Sequence, residues 1–402
     1  MARKAKRDLT MEEQLSHGAV DLPFLMLVLL LTGIGLVMVF SSSFASAYYY
    51  KPDPLFYFRR QLIYAVLGIA LMYLVSKQNY QILRALSIPL LLISVVLLVL
   101  VLSPLGVEIN RAKRWLKTFF ITGPTYQPSE IAKIAVIVFF AARLSKRNTE
   151  KKKRYTNRTF RGRTLNRLQK IGFLELIPYG LVLAVVLFLV VREPHMSGTI
   201  LIMAGAAAVL FASGINLGWF ALGGGAAFGM LGLIISKTNY MSDRIRIWHD
   251  PWLDPRGQGF QPIQALIAIG SGGLTGVGFG QSVQKFCYIP EPENDYVFAV
   301  IVEELGFVGA ALILFLFAML ILRGYWLALH ARDKFGALLI VGIISLLAAQ
   351  VGLNIAVVSN LLPSTGISLP FFSYGGTALV IHLVEMGIVL SVSRQIPAPK
   401  KD

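Results

Sequence analysis

Two aspartates stand four residues apart, each followed by proline, in the run Arg244-Ile-Arg246-Ile-Trp-His-Asp250-Pro-Trp-Leu-Asp254-Pro-Arg256-Gly. A carboxylate among arginines can act as a general base beside an anion site. The same spacing also describes two turn-forming Asp-Pro steps with solvated charges, because proline pushes the preceding residue toward extended backbone. A second acidic group, Pro290-Glu291-Pro-Glu-Asn-Asp295, leads straight into an apolar run. It suits a helix N-terminus and equally a cation or substrate. Between the two lies Gly270-Ser-Gly-Gly-Leu-Thr-Gly-Val-Gly-Phe-Gly280. Glycine-rich backbone can cradle phosphate, but no Lys-Ser/Thr follows, so this is no P-loop and reads as a flexible turn.

Ionisable residues also occur inside apolar stretches. Glu130 and Lys133 lie three apart on one helical face. Glu303 and Glu304 form a second pair, and His382 with Glu385 a third. Charges within a bilayer are costly and mark functional sites by default; pairing between helices is the structural alternative.

The elements that must position these groups are membrane helices. The chain has 402 residues, 55% of them hydrophobic and 15% charged, where a soluble domain carries about 25% charged residues. Mean hydropathy is +0.65. Apolar blocks of the length that crosses about 30 Å of hydrocarbon predict about ten transmembrane helices, near 22–43, 61–76, 85–103, 128–143, 174–191, 198–213, 216–236, 296–322, 336–358 and 374–393. This is an all-α polytopic membrane protein with one membrane domain over 22–393, flanked by tails at 1–21 and 394–402. Each span must satisfy its own backbone hydrogen bonds, so helix is the expectation throughout. Gly223-Gly224-Gly225 and Gly229 would let helices approach closely.

The net charge of +17 lies in the loops, which argues against nucleic-acid binding. Arg3, Lys4, Lys6 and Arg7, the basic loop 144–173 and the C-terminal lysines fall on one side under an even span count, so the positive-inside rule places both termini in the cytoplasm. The run from Lys146 to Arg167 reads as a topology signal beside anionic lipid. Arg111, Lys113, Arg114 and Lys117 break the trend on the other side. The first apolar run is too long for a signal-peptide core and is an uncleaved span. Cys287 is alone, which excludes an internal disulfide and a cysteine cluster. The long segment 237–295 is an extracytoplasmic loop whose Trp248, Trp252, Phe260, Phe279, Phe286 and Tyr288 offer material to pack; loops of that length are functional or disordered.

Four signatures in order resemble the SEDS family (shape, elongation, division and sporulation: FtsW, RodA, SpoVE). They are Arg114-Trp-Leu with Gln127-Pro-Ser-Glu130 and Lys133; Asp250-Pro-Trp-Leu-Asp254-Pro-Arg-Gly-Gln-Gly with Gln261 and Gln264; Pro290-Glu291 and Asp295-Tyr-Val-Phe-Ala with Glu303-Glu304-Leu-Gly306; and Pro363-Ser-Thr-Gly366 through Ser373-Tyr-Gly-Gly376. The resemblance covers about residues 20–395. Gln281-Ser282-Val-Gln284-Lys285 resembles FtsW and SpoVE more than RodA. His195 stands where many members have an acid, Phe260 replaces a common tyrosine, and Asn360 a common glycine.

The resemblance implies a peptidoglycan glycosyltransferase that polymerises lipid II, an undecaprenyl-pyrophosphate disaccharide-pentapeptide, on the outer face of the bacterial cytoplasmic membrane. It implies Asp254 as catalytic base, with Asp250, Glu291 and Asp295 as supporting acids. Arg114, Lys133, Arg244, Arg246, Gln264 and Lys285 are the candidates for the pyrophosphate and lipid; Glu130, Glu303, Glu304 and Ser373 are intramembrane residues of structural or functional weight. A divalent cation (Mg or Mn) can help neutralise pyrophosphate, though no ligand set demands one. The implied partner is a class B penicillin-binding protein. A lipid II flippase is the alternative, since intramembrane Glu, Lys and His can line a path; no internal repeat of the kind transporters show supports it.

Overall fold

A computed structural model describes residues 18–109, 112–117, 125–146, 173–193, 195–216, 218–220, 222–225, 229, 239–286 and 288–396. Its helices are α1 (Leu22–Tyr50), α2 (Phe56–Lys77), the short α3 (Gln81–Ala85), α4 (Ser87–Leu102), α5 (Pro128–Ser145), α6 (Phe173–Arg192), α7 (Met196–Ala212), α8 (Asn239–His249), α9 (Phe260–Gly272), α10 (Val297–His330), α11 (Lys334–Val358) and α12 (Gly376–Ser393). Nine of the ten expected spans coincide with helices among the described residues, and 216–236 falls largely outside them. Among the described residues six helices are long and apolar enough to cross a membrane, and Ser87–Leu102 and Met196–Ala212 are shorter apolar helices. Most of the basic run after Lys146, together with Arg111 and Cys287, lies outside the described residues.

Both ends of the described chain sit at one face. Gly18 N–H donates to the Arg394 carbonyl at 2.8 Å, and Asp21 caps α1 by accepting from Phe24 N–H at 3.0 Å while pairing with Arg323. Asp333 caps α11 through Gly336 N–H and accepts from Tyr80 and Gln81. Each such cap contributes about 1 kcal/mol. The opposite face carries the chemistry.

Lipid tails give no hydrophobic drive between helices, so small residues and close packing hold the bundle. A methyl on Gly68 would fall 2.5 Å from Leu383, and one on Gly35 2.2 Å from the Phe371 carbonyl. At Gly223, Gly224, Gly225 and Gly229 a methyl would meet nothing within 4 Å among the described residues, and three of the four are exposed; much of the surrounding stretch lies outside the described residues.

Two segments expected as loops have structure of their own. Region 104–127 holds a small antiparallel sheet, β1 (Gly106–Ile109), β2 (Ala112–Lys117) and β3 (Thr125–Tyr126), in order β1-β2-β3 with a bulge between Val107 and Glu108. Its strands lie between spans, where water or protein can satisfy the edges. Region 237–295 carries α8, a 3-10 turn (Pro251–Leu253) and α9.

The glycine run between Gly270 and Gly280 is not a flexible turn, as its composition suggested. It is spliced into α10. That 34-residue helix is broken at Gly306 (φ 67°, ψ −173°), and the groups freed there find partners in the run. Val277 and Gly278 N–H donate to the Glu303 and Glu304 carbonyls at 2.9 and 3.1 Å. Phe307 and Val308 N–H donate to the Gly273 and Leu274 carbonyls at 2.9 and 3.1 Å. Gly276 (φ 79°) and Gly306 press together, a methyl on Gly306 lying 2.3 Å from Gly276 N. Left-handed backbone and absent side chains are both required here. Order in the segment comes in part from this splice; of its six aromatics Trp252, Phe279, Phe286 and Tyr288 are exposed, while Trp248 and Phe260 are half-buried. Gly276→Ala is expected to lower the yield of folded protein sharply; an unchanged thermal midpoint would show that the splice can yield.

Candidate active-site cavity

Where the helices end at the face opposite the termini, they surround a polar cavity of about 490 Å³. One side carries Arg60 and Tyr64 of α2, with Arg114 and Trp115 of β2; the segment before α10 supplies Glu291, Glu293 and Asp295. Glu130, Gln350 and His382 line it from α5, α11 and α12, and the loop 366–376 closes it. Glu291 and Phe371 hold left-handed backbone at φ 47° and 67°, strain that costs about 1–3 kcal/mol and gathers at functional sites.

The acids of this cavity are tuned by burial. Asp295 is pushed up to about 6, first by burial and then by the neighbouring Glu291, with Arg114 and Arg244 opposing. Glu293 is pushed up to about 7 by burial and accepts from Ser46 Oγ at 3.2 Å. A carboxyl near 6 is well matched to taking a proton at neutral pH. Behind Arg114, the Glu193 side chain is fully buried with neither oxygen hydrogen-bonded among the described residues, and burial pushes it up to about 8. His195, buried first and then facing Arg114, is pushed down to about 3 and stays neutral; its ring meets Gln127 and Ser129. Since the Glu193 carboxyl ionises more easily unfolded than folded, its contribution to stability falls as pH rises from about 4.5 towards 8. Glu193→Gln is therefore expected to raise the thermal midpoint at pH 8 and leave it unchanged at pH 4, the difference being on the order of 3 kcal/mol at neutral pH. Parallel midpoint-against-pH curves for the two proteins would refute it.

Of the residues singled out by sequence, Arg114, Glu130, Glu291, Asp295, Ser373 and His382 line the cavity. Lys133 lies just behind, 2.7 Å from Glu130. Asp254, Asp250, Arg244, Arg246 and Gln264 are not among its lining residues. Asp250 and Asp254 both serve the turn: Asp250 accepts from Trp252 N–H at 3.1 Å, and the Asp254 carboxylate from Gln258 N–H at 2.9 Å. A methyl on Gly257 would fall 2.2 Å from the Asp254 carboxylate, so the turn has no room for a larger residue there. Arg244 of α8 donates to the Ser364 carbonyl, and Trp248 to the Asn360 carbonyl at 3.0 Å, which pins α8 to the loop before α12. Asn360 adopts φ 58°; asparagine tolerates that region better than other side chains, so it can stand in for the glycine common there. The Asp254 segment is joined to the cavity roof by Gln261, whose amide donates to the Pro290 carbonyl at 3.2 Å.

Lys285, a sequence candidate for the pyrophosphate and lipid, is not among the lining residues of the cavity. Its ammonium donates to Glu304 at 2.7 Å, the Gly280 carbonyl at 2.8 Å and Ser41 Oγ at 3.2 Å. Two of these three partners, Glu304 and Ser41, are buried, and Lys285 itself is 2% exposed, so its ammonium braces the glycine splice. Glu303 beside it accepts from Ser282 Oγ at 2.5 Å and Val283 N–H at 2.9 Å. Both glutamates are held by these contacts rather than by each other.

Arg60, Tyr64, His195, Gln350 and Tyr374 were not singled out as site residues. Gln350, a polar residue amid an apolar span, carried a usable signal, as did Arg60 at the start of one.

These features define a multi-pass helical membrane protein with a polar cavity at the face away from its termini. Residues 22–397 match the family described as cell cycle protein, FtsW/RodA/SpoVE, and the chain belongs to it. It is 42% identical over 377 residues to stage V sporulation protein E of Bacillus subtilis (strain 168), covering 93% of this chain and 97% of that one. It is 37% identical over 375 residues to a probable peptidoglycan glycosyltransferase FtsW of Trichlorobacter lovleyi, covering 93% of each. In structure it is similar to a chain of a peptidoglycan synthase complex (TM-score 0.71, 30% identity, 96% of this chain and 99% of that one). It is similar also to the rod shape determining protein RodA of Thermus thermophilus (TM-score 0.64, 28% identity, 95% and 99%).

Proposed function

We propose that this protein is a peptidoglycan glycosyltransferase that polymerises lipid II at the outer face of the bacterial cytoplasmic membrane. The observation that carries the reading is the cavity, which sets arginines against acids tuned toward neutrality, in a family whose FtsW members bear that activity in their names. Both termini are cytoplasmic in this reading, supported by the meeting of Gly18 and Arg394 at one face and by the lysines and arginines that the sequence carries beyond them.

The acceptor sugar's 4-hydroxyl attacks the anomeric carbon of an α-linked donor, the bond to pyrophosphate breaks, and a β linkage forms with inversion. Asp254 takes the hydroxyl proton. Asp250, Glu291 and Asp295 support it. The departing pyrophosphate carries charge that preorganised cations stabilise. Arg114 and Arg60 line the cavity, Lys133 acts from behind Glu130, and Arg244 and Arg246 of α8 with Gln264 of α9 are the further candidates for the pyrophosphate and lipid. A divalent cation would neutralise the same charge. Among the described residues no three His, Cys, Asp or Glu side chains converge as a ligand set, so no step is routed through one. The partner is a class B penicillin-binding protein, which crosslinks the strands; the similarity to a chain of a synthase complex coordinating polymerization and crosslinking supports it.

The test uses the purified protein in proteoliposomes with labelled lipid II, with and without a class B penicillin-binding protein. Glycan strands are expected. Movement of lipid II between leaflets without polymer under any condition would replace this reading with a flippase.

A further inference from the structure

Gln350 of α11 is 2% exposed and belongs to no motif recognised in the sequence. Its Oε1 accepts from Lys133 Nζ at 3.4 Å, and its Nε2 donates to the Ser368 carbonyl at 3.1 Å. An ammonium offers only protons and a carbonyl only lone pairs, so both ends of the amide are assigned by their partners. The same NH₂ meets His382 Nε2 at 3.3 Å. Two protons cannot share that contact, so Nε2 carries a lone pair and the ring proton sits on Nδ1, 3.0 Å from Glu385 Oε2. Glu385 is 1% exposed and its other oxygen has no hydrogen-bond partner. A single chain of contacts thus runs from Glu130 and Lys133 through Gln350 and His382 to Glu385.

We propose that Gln350 is a positioning residue for anion binding in the cavity. It holds the Lys133 ammonium against Glu130, so that the acid lining the cavity stays compensated where a pyrophosphate must enter. Glu385 sets the His382 tautomer, and that tautomer keeps the Gln350 amide facing Lys133 with its oxygen. Were the proton on Nε2, the amide would turn to accept it, and its NH₂ would face the ammonium. This rests on the lipid II reading of the cavity.

The test is a rescue. Glu385→Leu removes the acceptor for Nδ1–H and frees the ring to protonate at Nε2. It is expected to raise the KM for lipid II about tenfold, the loss of one hydrogen bond to a charged group, with little change in kcat. Adding His382→Phe removes both ring nitrogens and leaves Ser368 alone to orient the amide, so the double variant is expected to return to within about threefold of the parent KM. A merely structural role moves thermal midpoints without restoring KM through a second buried change. An unaltered KM in Glu385→Leu, or a folded double variant with KM still raised, overturns the proposal. Nitrogen NMR of the histidine-labelled protein reads the tautomer independently, the His382 signal being the one lost in His382→Phe. A protonated Nε2 overturns the inference even if no polymer forms, whereas absence of polymer from the parent protein overturns only the lipid II reading.

Discussion

Asp254→Asn is expected to abolish glycan polymerisation while the protein inserts and purifies normally. Asparagine keeps an oxygen that can accept from Gln258 N–H, and the two backbone contacts of this turn, Gly257 and Gly259 N–H to the Asp254 carbonyl at 3.3 and 3.0 Å, do not involve the side chain. The turn should therefore survive at a cost of under about 1 kcal/mol. What is lost is the ability to take a proton, and general-base removal lowers rates by roughly 10²–10⁴-fold. The comparison that gives the experiment its force is Asp295→Asn. Asp295 lines the cavity and Asp254 does not, and burial leaves Asp295 near 6. Polymer from Asp254→Asn together with none from Asp295→Asn would move the base to Asp295 and make Asp254 a turn residue.

Lys285→Met is expected to be the most destabilising single change considered. It strands Glu304, 1% exposed, without its cation. Breaking one side of a buried ion pair costs about 3–5 kcal/mol. The double variant Lys285→Met/Glu304→Leu should recover most of that loss, because replacing a buried pair with packed apolar groups is often close to neutral. Thermal midpoints in detergent measure both. A Lys285→Met protein of unchanged midpoint that binds lipid II poorly would instead return Lys285 to the substrate role its sequence suggested.

Much of the frame was legible because bilayer thickness dictates it. Runs such as Leu22–Phe40 and Leu338–Leu347 have no polar reading, and they are helices in the structure. The acids Glu291 and Asp295 were legible as a cluster ahead of a span. Hydrogen-bond identity was not legible. Lys285 and Arg114 are both cations in motif-like settings, yet one pairs with Glu304 and the other lines a cavity; the fold of 273–308 sets the first and β2 the second. Glycines misled in the same way. Gly223-Gly224-Gly225 looked like a packing stripe, while Gly276 and Gly306, thirty residues apart in sequence, needed each other to be understood. Gln350 was readable as an anomaly but its meaning depends on His382 and Ser368, which no spacing rule brings together.

Because α10 is interrupted at Gly306, it is mechanically two rods rather than one lever. Its upper rod, 297–305, leads from the acids of the cavity roof; its lower rod, from 307 on, presents Phe307, Val308, Leu312 and Phe315 to the surroundings. Across the break the backbone bonds run sideways into 273–278 instead of along the axis. The segment 273–278 is thereby bonded to both rods, to Glu303 and Glu304 of the upper and to Phe307 and Val308 of the lower, so the two halves of α10 are coupled through the chain that follows α9 and not through a continuous helix axis.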